Sequence, residues 1–193
     1  MKGQGNRLAV GGPDVSVNDH IADIVAAIDA TGSDDVILVA YSCGGRLAAG
    51  AWDQTRDHIG KLVWVEAVAP ITDNPTAIPA DGQSLAFLVT MSPDLADSGM
   101  FPPPPTLRDK SGKPLGSMSL RSLYGPVIIA QPLPPIPGTY IYAEDSSLPV
   151  LRRYGEHMAA WRCWQLATIP GGHDVVRDAP DQLLAALLWV ADQ

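Results

Sequence analysis

The run Val36-Ile37-Leu38-Val39-Ala40-Tyr41-Ser42-Cys43-Gly44-Gly45 constrains this chain more than any other stretch. Four consecutive apolar residues, mostly β-branched, predict a strand buried on both faces. They stop at a small-x-Ser-x-Gly pattern, and Arg46-Leu47-Ala48-Ala49-Gly50-Ala51-Trp52 then reads as a helix. A serine on a sharp turn between a buried strand and a helix is the arrangement of a nucleophile elbow. The turn strains the serine backbone, and small residues are needed where strand and helix nearly touch. Ala40 and Gly44 are the expected ones. The geometry would raise the Ser42 hydroxyl at the C-terminal edge of a parallel sheet, above the N-terminal N–H groups of the next helix.

The remaining pattern supports an α/β chain. Ser16 and Asp19 form a capping pair ahead of Ile21, Ile24, Val25 and Ile28, which share one helical face, and Gly32 marks a stop. Leu62-Val63-Trp64-Val65-Glu66-Ala67-Val68 predicts a second buried strand, ended by Pro70, so strand, helix and strand make a right-handed parallel crossover. Fourteen of the 18 prolines fall between Pro70 and Pro137. That segment cannot hold long strands or unbroken helices. Its apolar content (Phe87, Leu88, Met91, Phe101, Met118, Leu120, Tyr124) favours an excursion over a pocket, residues 71–137, with short helices near 83–89 and 117–124. Regular structure resumes with strands at 139–143 and 163–169, a helix over 151–160, and a last helix opening at Pro180.

Charge and composition exclude several functions. A net charge of -8 lacks the basic stripe of a nucleic-acid binder. No apolar run reaches membrane-spanning length, so a cytoplasmic protein is expected. Cys43 and Cys163 have neither disulfide-framework nor zinc spacing, and no metal or organic cofactor is implied. At 193 residues one domain with a single sizeable core is expected.

A serine hydroxyl needs a base to take its proton and a carboxylate to orient that base. Of four histidines, His20 lies in the first helix, His58 enters a strand from the opposite sheet edge, and His157 is mid-helix. His173, in Pro170-Gly171-Gly172-His173 just after a strand, shares the edge of Ser42. Asp145, following the strand at 139–143, is the expected acid; Glu144 beside it and Glu66 at the end of the second strand are the substitutes. The Cys43 backbone N–H is the expected oxyanion donor.

These features resemble the bacterial α/β-hydrolase family of small esterases related to plant methylesterases and hydroxynitrile lyases. The resemblance runs through Gly3-Gln4-Gly5-Asn6-Arg7 with Pro13-Asp14-Val15, the helix at 18–25 and the strand at 62–70. It continues through Asp81-Gly82-Gln83-Ser84-Leu85, Trp161-Arg162, Gly172-His173-Asp174 and Pro180. It implies a parallel sheet of about four strands flanked by helices with a Pro-rich cap. It also implies a small carboxylic ester as substrate and a triad in the order Ser42, Asp145, His173.

Ala40 and Tyr41 stand where that family has Gly and His. The family also places a strand, a His-Gly loop, a helix and another strand before the position of Met1, so a truncated domain is expected. Loss of the loop would remove one oxyanion donor, worth about 10²–10³ in turnover. It would also leave the nucleophile strand as an open edge for a second copy or another partner to cover. Two other functions fit such a chain: a non-catalytic remnant acting as a binding or assembly module, and a carbon–carbon lyase. The lyase would draw a cation from Lys110 or Lys113 in the cap.

Overall fold

A computed structural model describes residues 1–2, 4–70, 97–103, 112, 115–130 and 135–193. The first residues form a 3₁₀ turn, Gly5–Val10, and Arg7 pairs with Asp23 at 2.7 Å. Helix α1 (Val17–Asp29) opens on the expected capping box: Ser16 Oγ accepts from Asp19 N at 3.3 Å, and Asp19 Oδ2 accepts from Ser16 N at 2.9 Å. Gly32, with φ +63°, closes the turn after it.

In chain order there follow β1 (Val36–Tyr41), α2 (Gly44–Gln54), β2 (Ile59–Val65), β3 (Met100–Phe101), β4 (Met118–Ser119) and α3 (Leu120–Tyr124). The chain ends with β5 (Gly138–Ala143), α4 (Pro149–Arg162), β6 (Gln165–Ile169), α5 (Val175–Asp178) and α6 (Pro180–Ala191). Among the described residues, β1-β2-β5-β6 form one sheet, and every neighbouring pair is parallel. Such a sheet must be covered on both faces. Leu62 and Trp64 of β2 turn to a core with Trp52, Tyr140 and Met158, while Val63 and Val65 turn to one with Ile141, Ile169, Val175 and Val190.

The two strands expected to be buried on both faces differ. β2 is central and meets the expectation. β1 is an edge strand among the described residues, and Val39 is 45% exposed. A continuous apolar run looks the same at an edge as at the centre of a sheet.

Of the segment 71–137, residues 71–96, 104–111, 113–114 and 131–134 lie outside the described residues. With them lie the helix expected over 83–89 and both Lys110 and Lys113. The described part includes a short antiparallel pair, β3 with β4, and the helix α3, capped by Ser119 Oγ accepting from Ser122 N at 2.9 Å. Arg46, only 4% exposed, donates from α2 to the carbonyl of Leu123 at 2.5 Å and to that of Gly125. A buried cation is costly unless its donors are met; the carbonyls ending α3 take both terminal nitrogens, while Nε is buried without a partner among the described residues. Among the described residues no helix is long and apolar enough to cross a membrane.

His20, 2% exposed, packs on α1 and borders a cavity of about 10 Å³ with Gln4, Ser117, Ser119 and Ser122. Burial holds its pKa below the ordinary 6.5, so folding favours the neutral ring. As pH falls below about 6.5 the unfolded chain takes up the proton first. The stability this site contributes is whole above that value and is lost toward the lower folded pKa. The urea midpoint of the parent should therefore fall toward that of His20→Gln between pH 7 and pH 5; a gap that stays constant with pH would refute this.

Candidate active site

Ser42 ends β1 with φ +54°, in the left-handed region that a non-glycine residue occupies only when its surroundings hold it there. Those surroundings are backbone hydrogen bonds. Ser42 N donates to Val65 O at 3.2 Å, and Ser42 O accepts from Val68 N at 3.1 Å and Gly45 N at 3.2 Å. Cys43 is the N-cap of α2, so its N–H stands at the positive end of an 11-residue helix directly beside the serine.

The small residues at this turn are Ala40 and Gly45. A Cβ built on Gly44 meets nothing within 4 Å, whereas one built on Gly45 would lie 2.1 Å from Val68 O and 2.6 Å from Trp64 Nε1. The close approach assigned to Gly44 from the sequence therefore belongs to Gly45. It is the second glycine that faces the loop following β2.

The structure brings Ser42 and His173 together: Oγ lies 3.0 Å from Nε2. His173 sits between Gly171, whose φ of +106° turns the chain out of β6, and the short helix α5. Gly172 N anchors this loop on Asp178 Oδ2 at 3.0 Å. The other histidines are engaged elsewhere. His58 pairs with Asp34 at 2.9 Å, His157 lies against Trp161 with ring centroids 5.4 Å apart, and His20 is buried on α1.

The carboxylate that meets His173 is Glu66, with Oε2 3.1 Å from Nδ1. Asp145, the acid expected from the sequence, is exposed. Its backbone N–H donates to Gly171 O at 3.0 Å, and Glu144 beside it is exposed too. The reason is local: β5 stops at Ala143 and the chain turns outward at once, so both carboxylates leave for solvent. Glu66 follows β2 with φ +45° and is fully buried. Its Oε1 accepts from Ala143 N at 2.8 Å and its Oε2 from Ser146 Oγ at 2.6 Å. With the histidine, three donors converge on one carboxylate, the condition under which a buried charge is tolerated.

The peptide after Glu66 is equally fixed. Tyr140 Oη accepts from Ala67 N at 3.1 Å and donates to Ala67 O at 2.7 Å, and Trp64 Nε1 donates to Val68 O at 3.0 Å. Sequence reasoning missed Tyr140 and Ser146, which carry no motif. Tyr41 also contacts His173: the rings stack with centroids 5.3 Å apart and planes 25° from parallel, and Tyr41 Oη donates to His173 O at 2.8 Å. Burial, with Asp174 and Glu66 nearby, pushes the Tyr41 phenol up to about 12, so it remains a donor.

A serine on an elbow, an imidazole and a buried carboxylate thus lie in hydrogen-bond sequence at the C-terminal edge of a parallel sheet. Residues 3–187 match the Alpha/beta hydrolase family. The chain belongs to that family. This hydrolase is 28% identical, over 96% of its length and 84% of the relative's, to a carbendazim hydrolyzing esterase of Nocardioides sp. (strain SG-4G). Among solved structures it resembles an extracellular alpha/beta-hydrolase from a Paenibacillus species, with a TM-score of 0.72 and 19% identity over 97% of this chain and 83% of the other. A methylesterase from Arabidopsis superposes with a TM-score of 0.65 and 17% identity, over 100% of this chain and 84% of the other. At those identities the structural likeness speaks to the fold.

Proposed function

We propose that the protein hydrolyses small carboxylic esters through a Ser42–His173–Glu66 triad. The observation that carries this reading is the unbroken chain Oγ to Nε2 at 3.0 Å and Nδ1 to carboxylate at 3.1 Å. The esterase relative supports the reaction class.

With its proton on Nδ1, directed at Glu66, His173 has a lone pair on Nε2 to accept the Ser42 proton as Oγ attacks the ester carbonyl. Negative charge then develops on the carbonyl oxygen, where the Cys43 N–H and the start of α2 stabilise it. The imidazolium returns its proton to the leaving alcohol, giving an acyl-Ser42 intermediate. A water deprotonated by the same Nε2 attacks that intermediate and releases the acid. Glu66 stays ionised throughout and stabilises the imidazolium.

A fluorophosphonate probe tests the reading, because it phosphonylates only an activated serine. We expect a single adduct mapping to Ser42 and, alongside it, turnover of p-nitrophenyl acetate. Folded protein that takes up no probe and releases no p-nitrophenol would overturn the esterase reading and leave a non-catalytic binding module.

A further inference from the structure

We propose that Tyr41, the residue before the nucleophile, is a positioning residue that holds the His173 imidazole in register with Ser42; this rests on the triad reading above. His173 is carried on a loop with a positive-φ glycine at one end and a four-residue helix at the other. The loop is anchored through Gly171 O and Gly172 N, neither of which bears on the tilt of the His173 ring. Two hydrogen bonds hold the ring, at Nε2 and at Nδ1. Both lie in the ring plane at nearly opposite corners, so they fix an axis and leave the ring free to tilt about it. Such a tilt leaves both nitrogens in place but turns the Nε2 lone pair, which points somewhat off that axis, out of line with Ser42 Oγ.

Tyr41 supplies what those bonds lack. Its ring lies against the imidazole face at 5.3 Å between centroids and 25° between planes, which opposes the tilt. Its hydroxyl, donated to His173 O at 2.8 Å, ties the backbone of the histidine to β1. Because Tyr41 and Ser42 are consecutive, the strand end that presents the nucleophile also holds the base. The distance between them then depends on one rigid element, and less on how a loop is packed. Small errors of placement at a reacting centre are expensive in rate.

Tyr41→Phe removes the carbonyl bond and keeps the stack; Tyr41→Leu removes both. On p-nitrophenyl acetate we expect kcat to fall about 3–10-fold in Tyr41→Phe and about 30–100-fold in Tyr41→Leu. KM should stay within about twofold in both, since neither contact touches substrate. The low-field proton resonance of His173 Nδ1–H should persist in Tyr41→Phe and broaden or vanish in Tyr41→Leu. A structural role alone would lower the urea midpoint while leaving kcat and that resonance unchanged.

Variants with parental kcat and an intact resonance, or a loss confined to KM, would overturn the proposal. If Tyr41→Leu does not fold, Tyr41→Phe decides by the same kcat and KM criteria. Should the parent hydrolyse no ester, the triad reading fails, while the Nδ1–H resonance of the variants still tests the clamp.

Discussion

Glu66→Gln should lower kcat on p-nitrophenyl acetate by about 10⁴-fold, the loss typical when a triad acid becomes its amide. Asp145→Asn should leave kcat within about twofold. The contrast follows from donor counting. The Glu66 carboxylate accepts from Ala143 N, Ser146 Oγ and His173 Nδ1. An amide in its place has one acceptor oxygen and one NH₂, and Ala143 N, a fixed backbone donor, claims the oxygen. The NH₂ then faces His173 and favours the tautomer with its proton on Nε2. That tautomer cannot accept from Ser42, and the imidazolium loses its counter-charge as well. Asp145 makes none of these contacts; its anchoring bond runs through the backbone. Steady-state kinetics of the two variants separate the readings, and a large loss in Asp145→Asn with Glu66→Gln near parental activity would refute the assignment.

Gly45→Ala should cost at least about 3 kcal/mol of folding stability, beyond the usual 1–3 kcal/mol of an overpacked core. The new Cβ would lie 2.1 Å from the Val68 carbonyl oxygen and 2.6 Å from Trp64 Nε1. A backbone oxygen cannot rotate aside, and the indole is held by its own bond to that oxygen at 3.0 Å. Either α2 lifts from β2 or the segment 66–68 shifts, and the latter moves Glu66. Gly44→Ala is the control. Its Cβ enters open space and it favours the helix, so the change should be under about 1 kcal/mol and of either sign. Urea denaturation of both variants measures the difference. Since small domains have only about 5–15 kcal/mol in total, the Gly45 substitution should be visible in expression yield as well.

The strand–serine–helix unit was legible because three signals coincide there: an apolar run, small residues at the turn, and a helix after it. His173 was legible by elimination, since each other histidine falls on an element that points elsewhere. The acid was harder. Both β2 and β5 end in a carboxylate, and what distinguishes them is a backbone angle: Glu66 at φ +45° turns its side chain inward. No residue type in the sequence announces that angle, because glycine, its usual marker, is absent. The same gap explains the last strand. Residues 163–169 look continuous, yet Cys163 adopts φ +55° as the C-cap of α4 and the strand starts at Gln165. The left-handed residue that ends a helix is usually glycine, and a cysteine there gives no warning. The exchange of Gly44 for Gly45 is a matter of 100° of helix rotation, finer than pattern reading resolves.

The hydrogen bonds around the elbow tie its groups together in different ways. Ser42 N donates to Val65 O and Ser42 O accepts from Val68 N, and Glu66 N donates to Ile141 O at 2.9 Å, so the backbones of Ser42 and Glu66 extend the sheet's hydrogen bonding past the C-terminal ends of β1 and β2. Because Ser42 is bonded to Val65 and Val68, on either side of Glu66, a shift of one residue carries the other. His173 lies beyond β6, on a loop tied to its surroundings through Gly171 O, Gly172 N and its own carbonyl. In the proposed triad the imidazole is then the member whose placement depends on contacts from three separate segments, at Tyr41, Asp145 and Asp178.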